Sequence, residues 1–235
     1  MVPTGRGNVN AAAVTAAVSL SVLLGLPSRA SAIQAFQESA GQVVIEAEHY
    51  DGDIPRNGQD WVLRTSLAGF SGSGYLTALP NSGVTKDTGY VSTSPEIVYN
   101  VQFTATGTYY VWVRGAGPTG NDDSIHAGID GTGPSSADRL SYFSKSLSWS
   151  RKTTDSGTSA TLLVSSPGLH TIHVWMREDG VGVDKILLRM SNSSTAPSGT
   201  GPAESSRVTI GPPPDTTPPA ITITSPLDGA IITAP

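Results

Sequence analysis

The sequence predicts an all-β fold, an antiparallel β-sandwich followed by a flexible linker. Three observations point there. The chain has 26 Gly and 17 Pro in 235 residues, which punctuate it into short runs. Between those breaks apolar and polar residues alternate with period two, the pattern of a half-buried strand. Such runs recur from Gln42 to Met190 at the close spacing of a sandwich.

Taken from the start, residues 1–32 read as a secretory signal peptide. Arg6 precedes an apolar, small-residue run from Ala11 to Leu26, and Ala30-Ser31-Ala32 has the form of a cleavage site. The run is shorter than the ~20 residues a membrane span needs, so cleavage is favoured over anchoring. A secreted, extracellular chain is expected, with no membrane span left after cleavage. In the region 42–190, Ile97, Tyr99, Val101 and Phe103 share one strand face. A turn at Gly107-Thr108 leads to a second strand with Tyr109, Val111 and Val113 on one side and Tyr110, Trp112 and Arg114 on the other. Ile125, Ala127 and Ile129 run up to Asp130-Gly131, a hairpin signal. Three further strands fall at 161–164, 169–177 and 185–190. Residues 191–219 are rich in Ser, Thr, Gly and Pro, the composition of a semi-extended linker, and only Arg207–Ile210 within them looks like a strand. Residues 220–235 alternate again.

Charge and cysteine content exclude several function classes. The chain carries 14 Lys and Arg against 19 Asp and Glu. The leader holds two of the basic residues and no acidic one, which leaves 12 against 19, a net charge of −7. A mildly acidic chain without a basic run lacks the footprint of a nucleic-acid binder. There are no cysteines, hence no disulfide framework, thiolate zinc site or catalytic thiol. A domain of ~150 residues can bury enough surface without such staples. A metal clamp would be a plausible substitute.

Glu46 and Glu48 lie two apart in the strand-like Val43–Glu48, so they project from one face ~6.5–7 Å apart. Two like charges that close favour a cation between them. Asp184 stands at the start of another apolar strand, and pairing of the first and last strands would bring the three carboxylates together. Hard oxygen ligands of this kind suit Ca²⁺. An acid–base pair for glycoside hydrolysis needs carboxyls ~5–9.5 Å apart, but such groups face each other across a cleft and do not share a strand face. Gly69–Gly74 misses the nucleophile elbow because position 73 is Ser. No catalytic residues are expected.

In order along the chain stand EAEHY (46–50), GFSGSGYL (69–76), GTYYVWVR (107–114), DDSIHAGIDG (122–131), GLHTIHVW (168–175) and EDGVGVDKILL (178–188). Together these resemble carbohydrate-binding modules of families 6 and 35 and the related C-terminal domain of family 115 glycoside hydrolases. The resemblance covers about Gln42 to Met190. It implies a jelly roll with a structural calcium joining the first and last strands, held by Glu46, Glu48 and Asp184. It also implies a sugar site in loops at one end of the sandwich. Trp149 matches the second aromatic of a W-x-W-like segment whose first position is Leu147 here.

An indole packs well on the apolar face of a pyranose while fixed polar groups meet the hydroxyls. Besides Trp149, the candidate contacts are Trp61, Asn57, Asn121, Asp122, Glu178 and Asp179. Each has a structural alternative: Trp61 as core, Asp122 and Asp179 as turn formers. The face of Tyr110, Trp112 and Arg114 is a second possible platform, with burial and an Arg114–carboxylate pair as the favoured alternative. His170, on an apolar face, is expected to be a satisfied core histidine. No acidic or histidine partner stands at metal-ligand spacing from His49, His126 or His173.

The expected function is therefore binding of a polysaccharide or glycan by a monomeric, calcium-stabilised, non-catalytic module of a larger extracellular protein. Two alternatives stay open, a structural or adhesion spacer and an accessory domain of a glycoside hydrolase or polysaccharide lyase. The tail 220–235 resembles the opening of a bacterial immunoglobulin-like domain. At about 16 residues it is too short to complete one, so either continuation past Pro235 or an unfolded tail is expected.

Overall fold

The computed structural model describes residues 31–154 and 157–211. The leader up to Ala30, the end of the linker from 212 and the tail 220–235 lie outside the described residues. Among those described, no helix is long and apolar enough to cross a membrane.

The described chain is built almost wholly of strands: β1 Ile33–Gln37, β2 Gln42–Glu46, β3 Gly52–Ile54, β4 Asp60–Arg64, β5 Tyr75–Leu79, β6 Glu96–Phe103, β7 Gly107–Ala116 and β8 Ile125–Ile129. There follow β9 Leu140–Ser141, β10 Ser148–Ser150, β11 Lys152–Thr153, β12 Thr161–Val164, β13 Gly168–Met176, β14 Gly182–Arg189 and β15 Arg207–Ile210. They form two sheets. The first runs β11-β9-β8-β13-β6-β1-β15, with β3 also on β6. The second runs β10-β7-β14-β5-β4, with β12 on β7 and β2 on β14. All pairs are antiparallel except β1 with β6. This is the expected antiparallel sandwich, of jelly-roll type.

The inner faces follow the alternation. Ile97, Tyr99, Val101 and Phe103 of β6 and Tyr109, Val111 and Val113 of β7 all enter one core. Phe103 and Tyr109 meet edge-on at 5.0 Å, the geometry that aromatic quadrupoles favour. Tyr99 donates its hydroxyl to Ala47 O at 2.8 Å, so the polar end of a fully buried ring is satisfied. Asp130 and Gly131 have φ of 50° and 70°, and Ile129 and Thr132 exchange both backbone hydrogen bonds across them. Two central residues at positive φ make the primed turn that matches strand twist.

The paired structure extends past 42–190 at both ends. β1 buries Phe36 in the core. Glu38, between β1 and β2, accepts amide hydrogen bonds from Gly41 and Thr104 at 2.5 and 2.9 Å. The stretch read as linker returns as a strap over β2, where Ser205 N donates to Val44 O at 2.9 Å, and finishes as β15 paired with β1.

Candidate functional site

Three places hold the residues singled out by sequence. At one end of the sandwich Asp179 is fully buried. Its carboxylate accepts amide hydrogen bonds from Ser82, Gly83 and Val84 at 2.6, 3.1 and 3.0 Å, and a fourth bond from the Gln59 amide at 3.2 Å. Burial alone would push its pKa up, yet these donors hold it below the ordinary carboxylate value. Asp122 is buried and accepts the Thr119 hydroxyl at 2.6 Å. Glu178 accepts from Ser124 Oγ at 2.6 Å and Asp123 N at 3.0 Å, and pairs with Arg177 at 2.5 Å. These carboxylates hold loops together.

Trp61 lies in the core with Nε1 donating to Pro95 O at 3.2 Å. Asn57, at φ 54° before Gly58 at φ 78°, occupies a two-residue turn closed by Arg56 and Gln59, and its side chain donates to Thr93 O at 2.7 Å. Asn121 is exposed. None of these six residues lines the pocket beside Trp149 described below.

The second place is the start of β14. Pairing of β2 with β14 sets Glu46 opposite Lys185, and a bulge between Val183 and Lys185 turns Asp184 out of the regular ladder. The Gly69–Gly74 loop closes over this corner. Ser71 N donates to Asp184 Oδ1 at 2.8 Å, Ser71 Oγ to Glu46 Oε1 at 2.8 Å, and Ser73 N to Glu48 Oε1 at 2.5 Å. Two cations are present already: Arg114 lies 2.6 Å from Asp184 Oδ2 and Lys185 lies 2.8 Å from Glu46 Oε1. Burial, with the Glu46 charge adding to it, raises the Asp184 pKa against the pull of Arg114 and Ser71. Among the described residues no group of three or more His, Cys, Asp or Glu side chains is arranged to hold a metal ion. Glu46 Oε2 and Glu48 Oε2 are nonetheless buried without a hydrogen-bond partner. Those two oxygens have the donor chemistry of a hard cation and would supply one side of its shell.

The third place is the outer face of the second sheet. Pairing of β10 with β7 sets Trp149 opposite Arg114. Trp149 packs against a small cluster of Val44, Trp112 and Leu187, separate from the main core. Beside it opens a pocket of about 450 Å³ whose walls include Trp112, Tyr142, Trp149, Arg151, Lys152 and Ser194. The strap forms one side. Gly199 O accepts the Trp149 indole N–H at 3.1 Å. Gly201 lies so close that a Cβ there would come within 2.5 Å of the Trp149 ring. Tyr142 stands at φ 68° with 56% of its surface exposed. A bulky residue at positive φ is strained, and such strain gathers at functional sites.

Arg114 is the carboxylate-paired residue expected of that strand face. Trp112, at 4% exposed, is buried as expected, but against the outer cluster and the pocket. Tyr142, Arg151 and Lys152 were not anticipated. The available signal was Trp149-Ser150-Arg151, whose spacing of two puts the indole and the guanidinium on one strand face.

The histidines lack metal-ligand spacing in sequence, yet each meets one distant carboxylate: His49 with Glu204, His126 with Asp138, His170 with Asp130 and His173 with Glu96. His170 also bonds Ser166 O through Nε2 at 2.9 Å, so both its ring nitrogens are satisfied.

A sequence model of the family described as glycosyl hydrolase family 115 C-terminal domain matches residues 35–204. A curated protein of Formosa agariphila, itself described as uncharacterized, is 29% identical over 198 residues, 71% of this chain and 48% of that protein. The chain thus spans about half the length of that relative. Among solved structures, a family 35 carbohydrate-binding module from Clostridium thermocellum is 19% identical, with 63% of this chain and 98% of the other covered and a TM-score of 0.43. A family 35 module from Paenibacillus barcinonensis is 22% identical, with 63% and 99% covered and a TM-score of 0.43.

Proposed function

The chain belongs to the family of glycosyl hydrolase family 115 C-terminal domains, and we propose that it is a non-catalytic polysaccharide-binding module of a larger extracellular protein. The observation that carries this reading is the open pocket where Trp112, Tyr142 and Trp149 meet polar and basic side chains. Aromatic walls suit the apolar face of a pyranose, and the hydroxyl-bearing Ser159 and Ser194 line the same pocket, where sugar hydroxyls would lie. The leader-like residues 1–32 support export. At the loop end of the sandwich Asp122, Glu178 and Asp179 accept hydrogen bonds from their own loops.

Trp149→Ala in the full chain is expected to weaken retention on polysaccharide by about tenfold to a hundredfold, the usual worth of one stacked aromatic. Affinity electrophoresis across a set of polysaccharides reads this directly. A wild-type chain that binds none of them would make the module a spacer.

A structural calcium belongs to the same reading, supported by the two partnerless oxygens of Glu46 and Glu48. Asp184, whose oxygens each already accept one donor, from Ser71 and Arg114, would join them through a remaining lone pair. A bound ion would supply charge neutralisation there and tie β2 to the Gly69–Gly74 loop. Calcium should then raise the melting temperature in step with RT ln(1 + [L]/Kd), and Glu48→Gln should remove most of the response. A wild-type melting curve left unmoved by EDTA sinks the metal assignment.

A further inference from the structure

Arg151 and Arg189 both lie against the ring of Trp112, with guanidinium carbons 5.1 and 5.0 Å from its centroid. Arg151 is also 5.5 Å from the centroid of Tyr110. Like charges gathered on one indole are unfavourable unless something neutralises them. Burial, and after it the Arg151 charge, draws the Arg189 pKa below its ordinary value. Four other arginines have carboxylate partners: Arg56 with Glu96, Arg114 with Asp184, Arg177 with Glu178 and Arg207 with Asp51.

Here the partners are neutral. Arg151 donates to Asn192 Oδ1 at 3.2 Å, and Arg189 to the carbonyls of Ser193 and Thr195 at 2.7 and 2.9 Å. Among the described residues neither guanidinium has a carboxylate within ion-pair distance, and no Asp or Glu lines the pocket. Lys152, exposed at the same pocket, adds a third positive charge. This concentration stands in a chain whose net charge is −5, so it does not follow from general basicity.

We propose that the Trp112–Trp149 pocket selects an anionic saccharide unit, one bearing a carboxylate or a sulfate, with Arg151 as its principal partner. The inference rests on the polysaccharide-binding reading and adds the substrate class. A guanidinium offers a planar fork of N–H donors that matches either oxyanion in two parallel hydrogen bonds, and its partial desolvation strengthens them. Trp149 and Tyr142 then receive the ring that carries the anion. Lys152 and Arg189 contribute at longer range, where their charge favours encounter more than fit.

The test uses the full chain on immobilised glycans of three kinds: neutral, uronate-bearing and sulfated. Single-stranded DNA serves as a non-saccharide polyanion. Anionic glycans are expected to be retained at least about tenfold more tightly than neutral ones, as charge-assisted hydrogen bonds to Arg imply. The preference should shrink with added salt, and the stronger of the uronate and sulfate arms names the anion. Arg151→Gln should bring anionic binding down to the neutral level while leaving neutral binding within about twofold. If Arg151→Gln melts early, exposed Lys152→Gln serves as the second variant, with a smaller loss in the same direction. Equal retention of neutral and anionic glycans overturns the proposal. So does unchanged anionic binding in both variants, or DNA retained as tightly as the best glycan. Anionic binding that depends on Trp149 but on neither Arg151 nor Lys152 removes the charge assignment alone. Failure of the wild type to retain any glycan removes the polysaccharide reading with it.

Discussion

The loop end of the sandwich and the outer face of its second sheet treat charge in opposite ways. At the loop end the carboxylates of Asp122, Glu178 and Asp179 are buried and bonded to donors from their own fold. Around Trp112 the guanidiniums of Arg151 and Arg189 rest on an aromatic ring and, among the described residues, bond only neutral oxygens. Charge that is satisfied internally contributes to stability. Charge left without a counterion beside an open pocket is available to a ligand. On the proposed reading the difference separates a frame from a recognition surface, although both contain residues of the polar types that sequence inspection favours as sugar contacts.

The largest effect expected from this division is on stability. Asp179→Ala leaves the Ser82, Gly83 and Val84 amides without their acceptor and should lower unfolding free energy by about 3 kcal/mol, read by urea denaturation. Glycan affinity of the folded fraction should not change. Because the folded pKa of Asp179 lies below its unfolded value, its stabilisation is complete above about pH 4 and is lost as pH falls through the folded value. The variant should therefore show a flatter stability curve in acid. A variant that is fully stable but fails to bind would move the recognition surface to the loop end.

A smaller effect, of opposite sign, is expected at the pocket. Tyr142→Gly removes a bulky residue from φ 68° and should raise stability by up to about 1 kcal/mol while weakening glycan binding. If stability falls and binding holds, the strained tyrosine belongs to the frame.

The core was legible because its rule is strict. Alternation along β6 and β7 assigned each inward residue, and Asp130-Gly131 marked its turn by composition. Asn57-Gly58 carries the same hairpin signature, but a polar side chain in a loop also resembles a sugar contact, and nothing local separates the two roles. Trp112 shows a different limit. Its burial was expected, but period two does not reveal that the burial is on the outer face, beneath Arg151, Arg189 and the strap. The strap was illegible for a related reason: Ser, Pro and Gly have the composition of a linker whether or not their backbone finds a sheet to bond. Phe36 and Glu38, ahead of the patterned region, are required by the core and by the turn at Thr104. A fragment cut at Gln42 and Met190 would lose both, together with the strap side of the pocket.

The pairing of β1 with β15 also governs how the module bears load. Ile33 and Ile210 are register partners at the outer end of that ladder. Tension applied between them pulls the two strands apart from one end, so the hydrogen bonds break in succession like a zipper and do not share the load as they would in shear. Yield begins at this edge, at low force. Further back along the same peeling segment come Ser205 on Val44 and then Gly199 on Trp149. Mechanical pull on the ends of the fold thus travels along the strap toward the indole.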